Sequence, residues 1–572
     1  MNRKEALPAS VDVVVAGSGA GGMMAALVAA ASGLEVLLAE ASDLLGGTTA
    51  YSSGTAWIPA TDHAAGLAPD TPEAALRYMQ ALAGPRADAK RQMAFLQAGA
   101  EAVRFIEANA DIGFFAPPHA PDYAAHPGAM DGGRALVVGE FDGRRLGKGL
   151  ELIRQPRPGF TILGGMMVNR ADIEALLAPL SSLRNLGHVL RLLSTHFLSL
   201  ATHRRSARLL MGSALVARLL FELRRRRVGM HISTAMTGLR TDETGRVCGA
   251  VLRRQGNVEA VVEARRGVIL ATGGFGASKR LRERLITAPD AGYNVGAPTL
   301  HGDGLILAES AGAAIDSEGH GSGAFWMPSS ILLDRAKPGL IAVGDDGKRF
   351  VNEADSYHDF CQAMFRTGLG RERPAWLVFD RSFLKSYAAG LIRPGPWGLK
   401  RFLDAGYLLE ARNLEELAAA AGISRSGLVS TVERFNGFAA GGVDRDFGKG
   451  TTSLNRHNGD PKTKPNPCMG PIGRAPFYAM PVWPATLATG AGISTDGNAR
   501  ALRADGSPIE GLYAVGNDMS SVMYDTYPGP GTTLGPAIVF AYLAARHAAG
   551  RCRGRRRCDP GQYRPRSSRR FG

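Results

Sequence analysis

Residues 11–40 read VDVVVAGSGAGGMMAALVAAASGLEVLLAE, and this stretch decides the fold. Val11 to Ala16 is a short apolar run that breaks into glycines, the pattern of a buried strand. Gly17-x-Gly19-x-x-Gly22 then turns the chain into an Ala-rich helix, which Gly33 ends. Leu34 to Glu40 is a second strand, so the segment is a complete βαβ opening. Gly17 makes the tight turn, Gly19 lets the backbone approach a pyrophosphate, and Gly22 packs helix on strand. The start of that helix, Met23 to Ser32, offers N–H groups and a partial positive charge to that anion, and Ala20 of the turn is expected to face it too. Glu40 ends the second strand, 23 residues after Gly17, where its carboxylate can accept hydrogen bonds from ribose hydroxyls. A lone glycine fingerprint is weak. Strand, helix and acid in register make it a dinucleotide site.

Further segments favour FAD over NAD. Gly46-Gly47-Thr48-Thr49 and Ser52-Ser53-Gly54 follow Glu40 closely and offer backbone and hydroxyl donors. After short strands at 247–254 and 258–263, which form a hairpin around Gly256-Asn257, VILATGG, Val268 to Gly274, is a strand ending in a turn at Thr272, Gly273 and Gly274, and GLYAVGN, Gly511 to Asn517, is another ending at Gly516 and Asn517. Thr533 and Leu534, just before a final helix at 535–549, are expected to contact the cofactor beside that turn. No second glycine fingerprint with strand, helix and acid occurs, so one FAD, held non-covalently, is expected and its electrons leave to an external acceptor such as a quinone. The chain therefore reads as α/β, with a Rossmann-like FAD-binding domain and an inserted α+β catalytic domain. The expected boundaries are 1–290 and 475–550 for the FAD-binding parts, 291–474 for the insertion and 551–572 for a basic disordered tail.

Composition narrows the class. The 572 residues can bury a large core, and 45% apolar with 21% charged content is ordinary for a globular enzyme. The net charge of +15 is concentrated, since residues 551–572 hold nine Arg and one Asp. This tail reads as a solvated appendage, or alternatively as a tether to anionic lipid or nucleic acid; no nucleic-acid partner is expected. Five cysteines, with no metal-ligand spacing, fit a reducing compartment and predict no metal site. No signal peptide and no membrane-spanning run are read. Residues 171–227 are helical in pattern, and VLRLLSTHFLSL, Val189 to Leu200, is apolar over a broad face with basic flanks. It reads as a core helix with arginines at its ends, or as an interfacial helix on a membrane. Cytoplasmic placement is expected, with peripheral contact to the inner face of the membrane left open.

The chemistry is carried by Tyr527-Pro-Gly-Pro-Gly531 and by two earlier tyrosines, Tyr357 after Asn352-Glu353 and Tyr123 after Pro121-Asp122. A phenol and a glycine turn beside a flavin segment could grip a carbonyl oxygen. With GGTTAYSSGTAWIP, ILATGGF, GKRFVNE, PFYAM and GLYAVGN in this order, the chain from residue 10 to about 550 resembles the fumarate reductase/succinate dehydrogenase-like flavoproteins and, within them, the 3-ketosteroid Δ1-dehydrogenases. The resemblance implies a lipophilic 3-ketosteroid substrate desaturated between C1 and C2. It implies that the Tyr527 O–H and the Gly531 N–H hold the C3 carbonyl oxygen. Tyr357 would take the C2 proton, Tyr123 would hydrogen-bond to that base, and the C1 hydride would pass to flavin N5. Tyr524 lies close enough in sequence to compete with Tyr527. Two other activities remain open at this point: Δ4-desaturation of 5α-3-ketosteroids, and reduction of an enoate, for which His301, Arg349 and His358 would have to clamp a carboxylate.

Overall fold

The computed structural model describes residues 6–550, apart from residues 65, 67–68, 158, 160, 255–257, 318–320, 330–333 and 396–397. The expected turn at Gly256-Asn257 and the basic tail 551–572 lie outside the described residues. The opening segment folds as read: β1 (Ser10–Ala16), α1 (Ala20–Ala31) and β2 (Val36–Ala39). α1 is apolar all round, because it is covered by the sheet on one side and by the C-terminal helix Leu534–Ala548 on another. Its small residues permit the approach: a Cβ at Gly21 would lie 3.7 Å from the Ala537 carbonyl oxygen.

The main sheet has eight strands. β1 pairs in parallel with β2 and with the long strand Glu259–Leu270, and that strand pairs in parallel with Pro508–Ala514. The register sets Ala39, Ala16, Leu270 and Ala514 in one row across the sheet. The long strand was expected as two, one ending near residue 263 and one starting at Val268. Arg265-Arg266-Gly267 interrupts the apolar pattern, yet the backbone stays extended through it. The first half pairs antiparallel with Val247–Arg254, the second half with Pro508–Ala514, so one strand serves two neighbours.

A second, antiparallel sheet runs Leu340–Val343, Ala375–Asp380, Phe477–Val482, Leu409–Ala411. Phe477–Val482 thus pairs outside the main sheet, although the return to the FAD-binding part was expected at residue 475. The PFYAM motif belongs by hydrogen bonding to the second sheet. Helices Leu414–Ala421 and Arg425–Gly441 cover this sheet through Leu417, Leu428, Val432 and Phe435.

Beneath this layer Arg349 is buried between two carboxylates, 2.7 Å from Glu353 and 2.9 Å from Asp444, while Lys449 lies 3.3 Å from Glu353. Burial opposes ionisation of Glu353, but the Arg349 and Lys449 charges overcome it and hold its pKa at about 2. Its contribution to stability is therefore full above the ordinary carboxylate range and is lost only as pH falls toward about 2. Arg349→Ala leaves buried carboxylates uncompensated and is expected to cost about 3–5 kcal/mol. Arg434→Ala, which removes a surface ion pair with Asp446, is expected to leave the urea denaturation midpoint unchanged. Equal midpoints for the two variants would contradict the cluster's structural role.

Candidate active site

Because the four parallel strands end in one row, the turns that follow them converge on one edge of the sheet. Gly17 donates to the Ala39 carbonyl at 2.7 Å, Ala271 to Ala16 at 2.8 Å and Val515 to Leu270 at 2.9 Å, which carries the row into the turns. Gly17 takes φ 101°, and a Cβ at Gly22 would fall 1.9 Å from the Gly17 carbonyl oxygen. No larger residue fits at position 22. Gly19 caps α1 without a side-chain bond to the first turn, which leaves N–H groups facing the turn. Glu40 accepts from the Ser18 N–H at 2.9 Å, the Ser18 hydroxyl at 2.6 Å and the Ser42 N–H at 2.8 Å. Its carboxylate is therefore aimed at the first turn, with acceptor capacity left for a ribose. This cradle fits a dinucleotide: close-packed glycines, an open helix start and a buried acid stand together.

The other expected flavin residues line the same edge. Thr49 Oγ accepts from the Ala20 N–H at 2.9 Å, and Thr48 Oγ from the Ala297 N–H at 2.9 Å. These hydroxyls hold the scaffold together. Ser53 donates to the Thr55 hydroxyl at 3.1 Å. Gly54 lies against Met211, where a Cβ would come within 2.5 Å of the backbone. Thr272 and Gly274 are tied to one side chain that the sequence reading passed over, Asp518. It accepts from the Thr272 N–H at 2.5 Å, the Thr272 hydroxyl at 2.9 Å and the Gly274 N–H at 2.9 Å. Burial pushes Asp518 up to about 6 despite those three donors. Asp518 stands directly after Gly516 and Asn517, so it clips the second flavin turn, with Gly273 between its anchor points, to the third. Thr533 precedes the helix start at Leu534 and makes no side-chain cap there.

The catalytic candidates meet beside this edge. The rings of Tyr357 and Tyr527 are 5.0 Å apart, those of Tyr123 and Tyr357 5.6 Å, and those of Tyr123 and Tyr527 5.8 Å. The Tyr357 hydroxyl is hydrogen-bonded to both other phenols, and Tyr527 also to Thr533. Burial raises all three phenols: Tyr527 to about 12, with Tyr123 and Tyr357 further above the usual value. Tyr357 opens the helix Tyr357–Arg366, capped by Ser356, where the helix dipole favours negative charge. Tyr123 is set by its backbone, which donates to the Pro528 carbonyl at 2.8 Å. Tyr78 donates to the same carbonyl at 2.7 Å. Gly531 takes φ 96°, and a Cβ there would fall 2.5 Å from the Thr55 carbonyl oxygen. Its carbonyl accepts from Trp57 and Gly535, while its own N–H has no protein acceptor among the described residues.

Around the three phenols lies a shell the sequence reading did not find. Arg134 is buried between Asp70 at 2.6 Å and Asp122 at 2.7 Å. Asp122 also accepts from the Trp57 indole at 2.8 Å, and burial pushes it up to about 6 against these partners. Asp122 had been singled out only as the neighbour of Tyr123, and its partner Arg134 carried no local signal. His358 accepts the Trp326 N–H at Nδ1, 3.2 Å, so Nε2 carries the proton toward the Asp525 carbonyl, also 3.2 Å. Tyr524 is turned away from Tyr527, since its hydroxyl accepts from the Asp88 N–H at 2.6 Å. The enoate-clamp candidates do not assemble: Arg349 is bound in the buried cluster, His358 is bound to backbone, and His301 is exposed.

Comparison with known proteins agrees with this geometry. The family model described as a FAD binding domain matches residues 12–534. The 3-oxosteroid 1-dehydrogenase of Mycobacterium tuberculosis (strain ATCC 25618 / H37Rv) is 38% identical over 94% of this chain and 98% of its own. The chain belongs to the 3-oxosteroid 1-dehydrogenase family of FAD-binding proteins. It is thus a FAD-dependent oxidoreductase, and FAD is its cofactor. The 4-oxocyclohex-2-ene-1-carboxylate 5-dehydrogenase of Sinomonas cyclohexanicum is 36% identical over 94% of this chain and 93% of its own. The crystal structure of 3-ketosteroid delta1-dehydrogenase from Sterolibacterium denitrificans, in complex with 1,4-androstadiene-3,17-dione, superposes with a TM-score of 0.87 at 35% identity, covering 95% of this chain and all of that one.

The clip on the flavin turns gives a test. Asp518→Ala frees three donors of the Thr272–Gly274 turn at once, unclips it from the Gly516 turn, and is expected to weaken FAD retention roughly tenfold or more. The ratio of flavin to protein absorbance after dialysis reads this directly. Full retention would mean that the clip does not set the cofactor site.

Proposed function

We propose that this protein is a FAD-dependent 3-ketosteroid dehydrogenase that desaturates the A-ring between C1 and C2. The observation that carries the proposal is the buried trio Tyr123, Tyr357 and Tyr527 beside the Gly531 N–H. Tyr527 O–H and Gly531 N–H donate to the C3 carbonyl oxygen and stabilise the negative charge that develops there. A C–H next to a carbonyl held in this way is acidified, and Tyr357 takes the C2 proton. Tyr123 hydrogen-bonds to Tyr357 and shares the charge that the transfer leaves. The C2–H electron pair becomes the new C1–C2 π bond as C1 loses hydride, for which bound FAD supplies the acceptor. Phenols suit the task because each brings one polar atom on an apolar body into a site for a largely apolar ring system. An external acceptor such as a quinone takes the electrons onward, and the placement proposed is cytoplasmic with peripheral contact to the membrane.

A second reading concerns the substrate's size. A relative of similar identity is named for a monocyclic oxo-carboxylate, and the same tyrosine chemistry serves any ring ketone. Anaerobic mixing with a 4-ene-3-ketosteroid is expected to bleach the oxidised flavin and yield a 1,4-diene. Bleaching only with a saturated 5α-3-ketosteroid moves the assignment to Δ4 chemistry, and bleaching only with a 4-oxocyclohexane carboxylate moves it to monocyclic acids.

The raised phenol of Tyr357 sets a pH dependence. Its reactive form is the phenolate, whose fraction grows with pH everywhere below the raised pKa. Log kcat/KM is therefore expected to climb with a slope approaching one from about pH 7 to about pH 10. Tyr357→Phe should lower kcat by about 10²- to 10⁴-fold and flatten the profile. Tyr527→Phe, which removes one donor, should cost about 10²- to 10³-fold and keep the slope. A wild-type profile that is flat over this range would remove Tyr357 from the role of base.

A further inference from the structure

We propose that Asp525 is a positioning residue, which holds the base Tyr357 and the carbonyl-gripping Tyr527 at working distance once substrate has broken the hydrogen bond between them. The inference rests on the roles given to these two phenols under the proposed function. Asp525 lies two residues before Tyr527, on the same loop. Its carboxylate accepts from the Ser322 N–H at 3.1 Å, the Ser322 hydroxyl at 2.7 Å and the Gln362 amide at 3.0 Å. Its backbone carbonyl accepts from His358 Nε2 at 3.2 Å. His358 and Gln362 are four residues apart on the helix Tyr357–Arg366 and so share one face. One residue of the Tyr527 loop therefore holds, by side chain and by backbone, the helix that opens with Tyr357.

A third arm of the same grip reaches the wall of the site. Ser322 lies just before the strand Ala324–Pro328, and its hydroxyl also accepts from the Trp326 indole at 2.8 Å. Phe325 of that strand meets the Tyr527 ring edge-on at 5.6 Å and the His358 ring at 5.9 Å. The backbone is shaped to admit the carboxylate. Gly321 takes φ 44°, and a Cβ there would fall 2.0 Å from Asp525 Oδ2. Tyr524 takes φ 54°, a left-handed conformation uncommon for a bulky residue, and its hydroxyl is anchored to the Asp88 N–H. Such strain persists only where the surroundings enforce it. Here it stands immediately before Asp525.

The reaction creates the need for this grip. The Tyr357 hydroxyl is bonded to Tyr527, and that bond cannot outlast the proton transfer. Tyr527 has one proton and gives it to the C3 oxygen, while Tyr357 as base is a phenolate with none to donate. The two phenols must still keep their places, because a shift of about 1 Å can cost about 10²-fold in rate. Asp525 joins the loop and the helix that carry them rather than their hydroxyls. Neither substrate nor proton transfer uses up its bonds.

Stopped-flow bleaching of the flavin in the full-length holoenzyme tests this, with whichever ring ketone the wild-type protein oxidises, so that a change of substrate class leaves the test standing. Asp525→Ala is expected to lower the saturating bleaching rate about 10- to 100-fold, with FAD content kept and the half-saturating ketone concentration changed less than about threefold. Asp525→Asn can set its oxygen toward the Ser322 N–H and Gln362 and its amide toward the Ser322 hydroxyl, so it should recover most of the lost rate. Should Asp525→Ala lose its flavin, Gln362→Met takes its place. It removes only the donor on the helix and is expected to lower the rate about three- to tenfold. An unchanged rate in these variants overturns the proposal, as does a loss that falls on the half-saturating concentration alone. So does an Asp525→Asn variant as slow as Asp525→Ala, which would make the charge rather than the grip the operative feature. A wild-type flavin that no ring ketone bleaches overturns the proposed function and this inference with it.

Discussion

The alignment of four strand ends governs everything else in this molecule. Ala39, Ala16, Leu270 and Ala514 sit in one hydrogen-bonded row, although they come from positions far apart in the chain. Parallel pairing forces that alignment, because each strand must point the same way and each following turn must then leave by the same edge. Glu40, the Gly17 turn, the Thr272–Gly274 turn and the Gly516 turn are brought together by it without any need to contact one another. Side-chain clips then tie them in pairs, Glu40 to Ser18 of the Gly17 turn and Asp518 to the Thr272–Gly274 turn.

The second dependency is the contact of the C-terminal loop with the segment after the glycine turn. A Cβ at Gly529 would strike the Trp57 indole at 2.6 Å, and one at Gly535 would fall 1.9 Å from the Trp57 carbonyl oxygen. The loop carrying Tyr527 is thus pressed onto Thr55–Trp57, and Trp57 in turn holds Asp122. Asp122 and Arg134 shape the loop that offers Tyr123, while the Pro528 carbonyl takes both the Tyr123 N–H and the Tyr78 hydroxyl. Buried polar networks of this kind are costly unless every member is partnered. Here the partners come from three separate stretches of chain, so the tyrosine positions are fixed only when all three have packed.

This separation explains what could be read from the sequence. The βαβ opening was legible because its signals are local: two short apolar runs, three glycines and an acid within 30 residues. The long strand Glu259–Leu270 was misjudged as two because an Arg-Arg-Gly break looks like a turn, and only the neighbour on each half keeps it extended. Phe477–Val482 was read with the FAD-binding part because its partners, near residues 375 and 410, carry no local mark. The tyrosines were reached through a resemblance rather than a pattern, since 234 residues separate Tyr123 from Tyr357. Arg134 and Asp518 were missed for the same reason. A buried ion pair or clip is a property of two distant positions, and neither position announces the other.

The chemistry follows from a tension between burial and charge. A phenol buried among other phenols resists ionisation, as the raised values of Tyr123, Tyr357 and Tyr527 show. That resistance keeps the resting site neutral and compatible with an apolar ring. The two neighbouring phenols add to that resistance at Tyr357, and only the helix start beneath it favours the charged form. The same low-dielectric surroundings that raise the phenols strengthen the two donors at the carbonyl oxygen. Burial therefore depletes the phenolate and strengthens the grip on the carbonyl oxygen together. A proton next to a ketone can be removed under those terms only if the carbonyl is gripped before the base is asked to act, which is why the Gly531 N–H must be left free by its own loop.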